Sequence, residues 1–167
     1  MSTFLNNIFG TSDHFDYQWS NSVFGGTNGT NDALTGITPS ISDPHGLKVN
    51  TSFNTTQLGD ASKEYIAATI LHEAVHGWID FTFPLFTTSN TQHHELMASA
   101  NRFNMMKDAL KEMFPNLSEQ EATDLTWGGL YNTILFNNLP TIEKARIVQE
   151  NENFKHRSGL NGKGTPC

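Results

Sequence analysis

The 167-residue sequence has little of what marks several large classes of protein. It contains a single cysteine, Cys167, so no internal disulfide can form, and this thiol does not indicate a compartment. Lysine and arginine together number ten against seventeen aspartates and glutamates, and no basic run occurs, which argues against a nucleic-acid-binding protein. No apolar stretch approaches the length of a bilayer span, so we expect no membrane-spanning segment.

The first residues, MSTFLNNIFGTSDHF, lack the basic segment and the long apolar segment of a secretory signal. We therefore expect no signal peptide on this chain, and a component other than such a signal to carry the protein if it leaves its cell. A hydrophobic fraction of 37% with 16% charged residues is typical of a globular protein. The length predicts a single domain over residues 1–167 with its own core.

Local patterns predict a mainly helical α+β fold with a small β element before the first long helix. Residues 1–45 are rich in Gly, Ser, Thr, Asn and Asp, which indicates loops and at most a short strand. Residues 47–53 alternate apolar and polar side chains and predict a strand. Helices are predicted from the cap at Asp60 to Pro84, and over residues 92–114, 118–137 and 141–151. The Gly-rich tail, 158–167, is expected to be extended or mobile.

Three polar side chains, His72, Glu73 and His76, lie within the apolar stretch ATILHEAVHGWIDF of the first long helix. Helical residues four apart lie on one face, so the two imidazoles are close enough to hold one ion. Glu73 is rotated by about 100° from His72 and points beside that ion, where a base acting on a metal-activated water belongs. The His-Glu-x-x-His spacing is that of zincins, whose ion is Zn²⁺. The alternative is a pair of core histidines hydrogen-bonded to backbone or to Glu73.

The third ligand is ambiguous from the residues alone. A catalytic zinc ion usually has three protein ligands and one open position, and the next ligand-type residues are His93, His94 and Glu95 in QHHELMA. Glu95 follows His76 with eighteen residues between them, as in gluzincin aminopeptidases, and lies about 60° from the centre of the predicted apolar helix face. Periodicity therefore favours Glu95 over His94, although Ser99 stands where a gluzincin has an acidic residue. His93 is expected to be a solvated neighbour.

The segments EYIAATILHEAVHGWI, QHHELMA and WGGL resemble the short zinc-metallopeptidase domains at the C-terminal ends of bacterial polymorphic (Rhs-type) toxins. They have a looser similarity to SprT-like metallopeptidases, and the resemblance covers about residues 60–135. It implies a minimal zincin-like domain whose third zinc ligand is a histidine at the position of His94, with Glu95 as the alternative. It also implies a protein or peptide substrate, a cognate immunity protein, and secretion or delivery into a target cell as an effector.

Other residues are expected to complete the site. Tyr131, Tyr65 and His156 are candidates for stabilising the oxyanion. Asp80, one turn after His76, is expected either to orient that imidazole through its other ring nitrogen or to be solvated near the helix end.

Two further features of the sequence bear on packing and substrate. Gly128 and Gly129, within a predicted helix, favour its close packing against the motif helix, the alternative being backbone open to substrate. The strand over 47–53, with Val49 and Phe53, is expected to be the edge on which an extended peptide pairs.

These patterns together predict a zinc-dependent endopeptidase, acting as a toxin or effector protease, with Glu73 as general base. One alternative is a SprT-like protease acting on DNA-bound proteins, which the formal net charge of −7 disfavours. The other is a non-catalytic module whose histidines are structural or bind a closed metal site. Peptidoglycan peptides and amidase-type bonds are further substrates that such a site accommodates.

Overall fold

The computed structural model describes residues 15–39, 46–83 and 89–167. These residues form a small sheet followed by helices, which confirms the predicted mainly helical α+β class. In chain order the elements are β1 (Phe15–Ser22), β2 (Ala33–Pro39), β3 (Leu47–Asn54), α1 (Thr55–Leu58), α2 (Lys63–Thr82), α3 (Asn90–Ala98), α4 (Ala100–Met113), α5 (Glu119–Thr126), α6 (Ile134–Asn137) and α7 (Thr141–Lys155).

The sheet has the order β1-β3-β2, with β1 parallel and β2 antiparallel to the central strand β3. The strand predicted over 47–53 is confirmed as β3. The interpretation of residues 1–45 as loops is wrong for β1 and β2, and its remainder at 1–14 and 40–45 lies outside the described residues. Serine and asparagine disguise β1, and threonine and glycine disguise β2. Cross-strand side-chain hydrogen bonds such as Ser20–Ser52 (2.8 Å) and Thr35–Thr51 (2.6 Å) support the pairing with β3.

The central position of β3 overturns the expectation that residues 47–53 form a substrate-pairing edge. Both of its sides are already paired, and Val49 is fully buried. A Cβ at Gly77 would lie only 2.7 Å from Val49 Cγ1, so the motif helix α2 packs directly on the sheet at this glycine. Among the described strands, β2 combines contact with α2 and a side that no described strand pairs.

Helix α2 begins two residues later than predicted. Ser62 is its N-cap and accepts a hydrogen bond from the Tyr65 backbone N–H (3.1 Å), whereas Asp60 accepts one from the Ser158 backbone N–H (2.9 Å). The helix ends at Thr82, and the predicted stop at Pro84 lies outside the described residues. Its apolar side chains join a core formed with the helices that follow, which includes Leu71, Ala74, Val75, Ile79, Met97, Leu110, Leu125, Leu130 and Phe154.

Two predicted helices are each divided into two shorter ones, α3 with α4 and α5 with α6. The predicted helix over 92–114 is interrupted at Ser99, whose extended backbone (ψ 141°) ends α3 and starts α4. The predicted helix over 118–137 ends at Thr126, and the chain then turns through Gly129, which has a positive φ of 79°. The capping box of Ser118 and Glu121 at the start of α5 is present.

The tail 158–167, which we expected to be extended or mobile, is hydrogen-bonded to the start of α2. Thr165 donates its backbone N–H to the Glu64 carboxylate (2.8 Å), and its carbonyl accepts from the Lys63 N–H (3.0 Å). The second bond satisfies the Lys63 N–H, one of the four N–H groups at a helix N-terminus that lack partners within the helix. Residues 158–167 are exposed, and these bonds hold the end of the tail against the helix that carries the motif. None of the helices in the described residues is both long and apolar enough to cross a bilayer.

Candidate metal centre

Three imidazoles, those of His72, His76 and His94, converge between α2 and α3. One nitrogen from each ring lies within 4.8 Å of the others, which forms a group able to hold a metal ion. The ring centroids of His72 and His76 are 4.9 Å apart, and His94 lies 5.2 and 5.1 Å from them. The three rings therefore form a nearly equilateral triangle, and its centre lies at similar distances from all of them.

The structure brings His94, and not Glu95, to the histidine pair. The Glu95 carboxylate accepts a hydrogen bond from the Ile134 backbone N–H (2.8 Å) in the first turn of α6. It thus serves a helix N-terminus rather than the imidazole pair. Periodicity misled here because α3 ends at Ser99, so an apolar face drawn through the residues of α4 does not describe α3.

The outer nitrogens of the three rings face other groups of the protein. Nδ1 of His94 lies 2.9 Å from Oδ1 of the Asn132 side-chain amide. This oxygen only accepts hydrogen bonds, so Nδ1 of His94 carries the ring proton. Nδ1 of His76 lies 3.0 Å from Nδ1 of His93. A backbone contact with Gly128 raises the pKa of His72, as a hydrogen-bond acceptor does. Nδ1 of His72 nevertheless lacks a fully aligned hydrogen bond. This arrangement leaves the Nε2 lone pairs for the centre of the group.

The inner nitrogens have the spacing and chemistry of zinc ligands. Nε2 of His72 and Nε2 of His76 lie 3.1 Å apart, while two nitrogens in tetrahedral geometry at zinc bond lengths are about 3.3 Å apart. This contact is a hydrogen bond when one ring carries its proton on Nε2; when both rings carry it on Nδ1, the two lone pairs repel unless a cation lies between them. Three neutral imidazoles with one side open fit the donor set of a catalytic zinc ion.

Burial keeps the three imidazoles neutral. It lowers the pKa of His72 to about 3, and the proximity of His94 makes a smaller contribution in the same direction. It also lowers the pKa values of His76 and His94 below the usual range for histidine. Because protons compete with metal ions for the same lone pairs, low pKa values make the group available for binding at neutral pH.

The backbone of the turn after α5 packs on the His72 ring. A Cβ at Gly129 would lie 2.7 Å from His72 Cε1, and its φ of 79° is strained for any residue with a side chain. Gly129 therefore packs against the motif helix as expected, but in a turn rather than within a helix, whereas a Cβ at Gly128 would lie 2.7 Å from Asn151 Oδ1 of α7. Both glycines also line the pocket described below.

The Glu73 carboxylate is largely buried near the histidine group. The residue is 8% exposed and lines the same pocket as the three histidines. Burial raises its pKa to about 7, and a hydrogen bond from the Thr35 side chain opposes that shift. The Thr35 hydroxyl lies 2.6 Å from that of Thr51, which lies 2.7 Å from Tyr17 OH, so β2, β3 and β1 support the carboxylate. A proton acceptor with a pKa near the working pH is efficient.

A pocket of about 400 Å³ contains the histidine group and Glu73. Its walls come from β2 and the preceding turn, from α2 and α3, from the end of α5 and the segment after it, and from α7. Tyr131 lines it, and burial, together with the charge of Glu152, raises the pKa of this tyrosine. Its hydroxyl therefore keeps its proton at neutral pH and is a hydrogen-bond donor.

The two other oxyanion candidates are placed differently. Tyr65 lines the pocket, but its hydroxyl donates to the Asp32 carboxylate (2.7 Å) and is already engaged. His156 is exposed at the end of α7, 3.3 Å from Glu152, and does not line the pocket. Its selection as a candidate was wrong because sequence position gives no measure of its distance from α2.

Asp80 and His93 also differ from expectation. Asp80 approaches His93, with 3.3 Å between Oδ1 and Nε2, rather than His76. His93 is 6% exposed and contacts His76, so its description as a solvated neighbour is wrong. Burial raises the pKa of Asp80, and the nearby His93 imidazole opposes the shift. Sequence reasoning missed the role of His93 because the kink at Ser99 sets which way α3 faces.

Two supporting residues, Thr35 and Asn132, carried no signal in the sequence. Each reaches the site from a distant segment, 38 residues away along the chain in both cases, and each belongs to a common polar type.

Comparisons of the chain with protein-family models, with curated proteins and with solved structures find no match. The function therefore has to be inferred from the geometry of the site and from the motif itself.

Proposed function

We propose that the protein is a zinc-dependent metallopeptidase that hydrolyses peptide bonds within protein or peptide substrates. The observation that carries this proposal is the convergence of three neutral imidazoles beside a buried carboxylate whose pKa is about 7, within one pocket. A closed structural metal site needs neither a neighbouring base nor an adjoining cavity, since all its coordination positions are filled by protein. The pocket thus favours catalysis over a purely structural role.

In the proposed mechanism each residue has a separate task. His72, His76 and His94 would hold the zinc ion, which lowers the pKa of water and polarises the scissile carbonyl. Glu73 accepts a proton from the attacking water and transfers it to the departing amine. Tyr131 donates its hydroxyl hydrogen to the oxygen that becomes negative. The Thr35 hydrogen bond keeps the Glu73 carboxylate oriented in the pocket.

The strand β2 is the part of the sheet best placed to bind an extended substrate. Ala33, Leu34 and Thr35 line the pocket, and the side of β2 away from β3 is unpaired among the described strands. A peptide that adds to this side would form backbone hydrogen bonds along β2 and pass the histidine group. This assigns to β2 the substrate-pairing role that the sequence had assigned to residues 47–53.

The biological setting of the proposal rests on the resemblance of the motif segments to toxin-associated metallopeptidases. It comprises delivery as an effector, cleavage of a protein in a target cell and inhibition by a cognate immunity protein. The alternative of a protease recruited to DNA has no basic surface run in its favour, and the net charge of −7 opposes contact with phosphates.

Removal and return of the metal test the proposed function. Protein dialysed against a strong chelator should lose hydrolysis of an unfolded substrate such as casein, and one equivalent of Zn²⁺ should restore it. Magnesium should not restore it, because this ion prefers oxygen ligands in octahedral geometry. A chelator-treated sample that cleaves at the original rate, or a metal-loaded sample that cleaves nothing in a broad peptide library, would contradict the proposal.

A further inference from the structure

A fourth histidine, His93, is not one of the three converging imidazoles. It is buried and lies between His76 and Asp80. Nδ1 of His93 lies 3.0 Å from Nδ1 of His76, and Nε2 of His93 lies 3.3 Å from Asp80 Oδ1. The second contact is at ion-pair distance but without the alignment of a full hydrogen bond. His93 is 6% exposed, so little water reaches its ring nitrogens. We call these two residues, Asp80 and His93, the Asp80–His93 chain.

Hydrogen-bond chemistry gives this chain a direction. An ionised carboxylate only accepts hydrogen bonds, so a neutral His93 that faces Asp80 carries its proton on Nε2. Its Nδ1 is then an acceptor, and the opposing Nδ1 of His76 has to be the donor. Neutral His76 with a proton on Nδ1 has its lone pair on Nε2, which is the nitrogen that faces His72 at 3.1 Å. The chain therefore selects the tautomer of His76 that presents a ligand atom to the centre.

We propose that His93 is a positioning residue that, together with Asp80, fixes the ring orientation and tautomer of His76 as a metal ligand. This inference rests on the proposed function, because it assumes that an ion occupies the histidine group. Partners of this kind are known to orient ligating histidines and to raise their basicity. Here the carboxylate acts through a second imidazole rather than on the ligand directly.

The chain also links the two helices that supply the ligands. His76 and Asp80 lie one turn apart on α2, while His93 and His94 are neighbours on α3. The ring of His94 turns towards the pair on α2, and the ring of His93 turns towards the far side of His76, with centroids 5.2 Å apart. Adjacent side chains of α3 thus contact His76 from two directions, and one of them is a ligand in the proposal.

Substitutions at His93 separate positioning from simple packing. His93→Leu removes both polar contacts, whereas His93→Gln retains an amide that accepts from His76 and donates to Asp80. The zinc dissociation constant, measured by competition with a chromophoric chelator, should rise about 10- to 100-fold for His93→Leu. His93→Gln should recover most of that loss, and His156→Leu, at an exposed histidine outside the pocket, should match the parent protein. The visible spectrum of the cobalt-loaded protein should change for His93→Leu, because it reports ligand geometry.

The outcomes distinguish this inference from the proposed function. A parent protein that binds no zinc defeats the proposed function itself. A parent that binds zinc, with a His93→Leu variant of equal affinity and unchanged cobalt spectrum, overturns the positioning role alone. If His93→Leu does not fold, Asp80→Asn decides, since loss of the carboxylate should weaken zinc binding while an unchanged dissociation constant overturns the inference.

Discussion

Replacement of Glu73 by glutamine should leave zinc binding intact and lower the rate of peptide hydrolysis by about 10²- to 10⁴-fold. Glutamine has nearly the same volume but accepts no proton, so attack by water loses its base. The Glu73 carboxylate is buried and its pKa is raised to about 7, which means that ionisation in the folded protein is already disfavoured. Removal of the charge should therefore not unfold the chain, and the unfolding temperature should stay near that of the parent.

The measurement is kcat on a fluorogenic peptide, made alongside zinc content and thermal unfolding. Glu143→Gln, at a carboxylate in the first turn of α7, is a matched control that should retain parental activity. A Glu73→Gln protein that is folded, zinc-loaded and fully active would show that another group accepts the proton. Such a result would leave the metal centre in place and reject the mechanism.

Replacement of His94 by alanine should weaken zinc binding by more than about 100-fold, which exceeds the loss expected for an outer-shell partner. Two imidazoles would remain from the three that converge in the parent. The pocket already contains a cavity of about 400 Å³, so the truncated side chain leaves space next to open volume rather than a sealed void. The apo protein should therefore remain folded while its affinity for zinc and its activity fall together.

The comparison with Glu95→Ala makes the His94 result specific. Glu95 accepts the Ile134 N–H, so its loss should cost about 1 kcal/mol of folding free energy, as for a lost helix cap. Zinc affinity should change little. The reverse pattern, in which Glu95→Ala loses zinc and His94→Ala retains it, would establish the gluzincin arrangement and contradict the geometry of this site.

The motif helix could be predicted because its signals are local. The interval of four between His72 and His76 and the apolar residues around them depend only on helical periodicity. The strand β3 likewise has alternating apolar residues. The third ligand could not be assigned from periodicity, because the orientation of α3 depends on the break at Ser99 and on contacts with α6 that involve distant residues.

The surroundings of the site depend on contacts between segments that are remote in sequence. Thr35 reaches Glu73 from a strand that the sequence presents as loop, and Asn132 reaches His94 from a turn that the sequence presents as helix. The sequence predicts a solvated position for His93, because polar side chains are mostly exposed. Its burial follows from the packing of α3 on α2, which no local pattern encodes.

X-ray absorption at the zinc edge of the zinc-loaded protein counts the ligands around the ion, so it shows whether three imidazoles hold zinc. We expect one zinc per chain, with three imidazole nitrogens at about 2.0–2.1 Å and one further light atom from solvent. A chain that retains no zinc after dialysis, or a shell with fewer than three imidazoles and a carboxylate in their place, would contradict it.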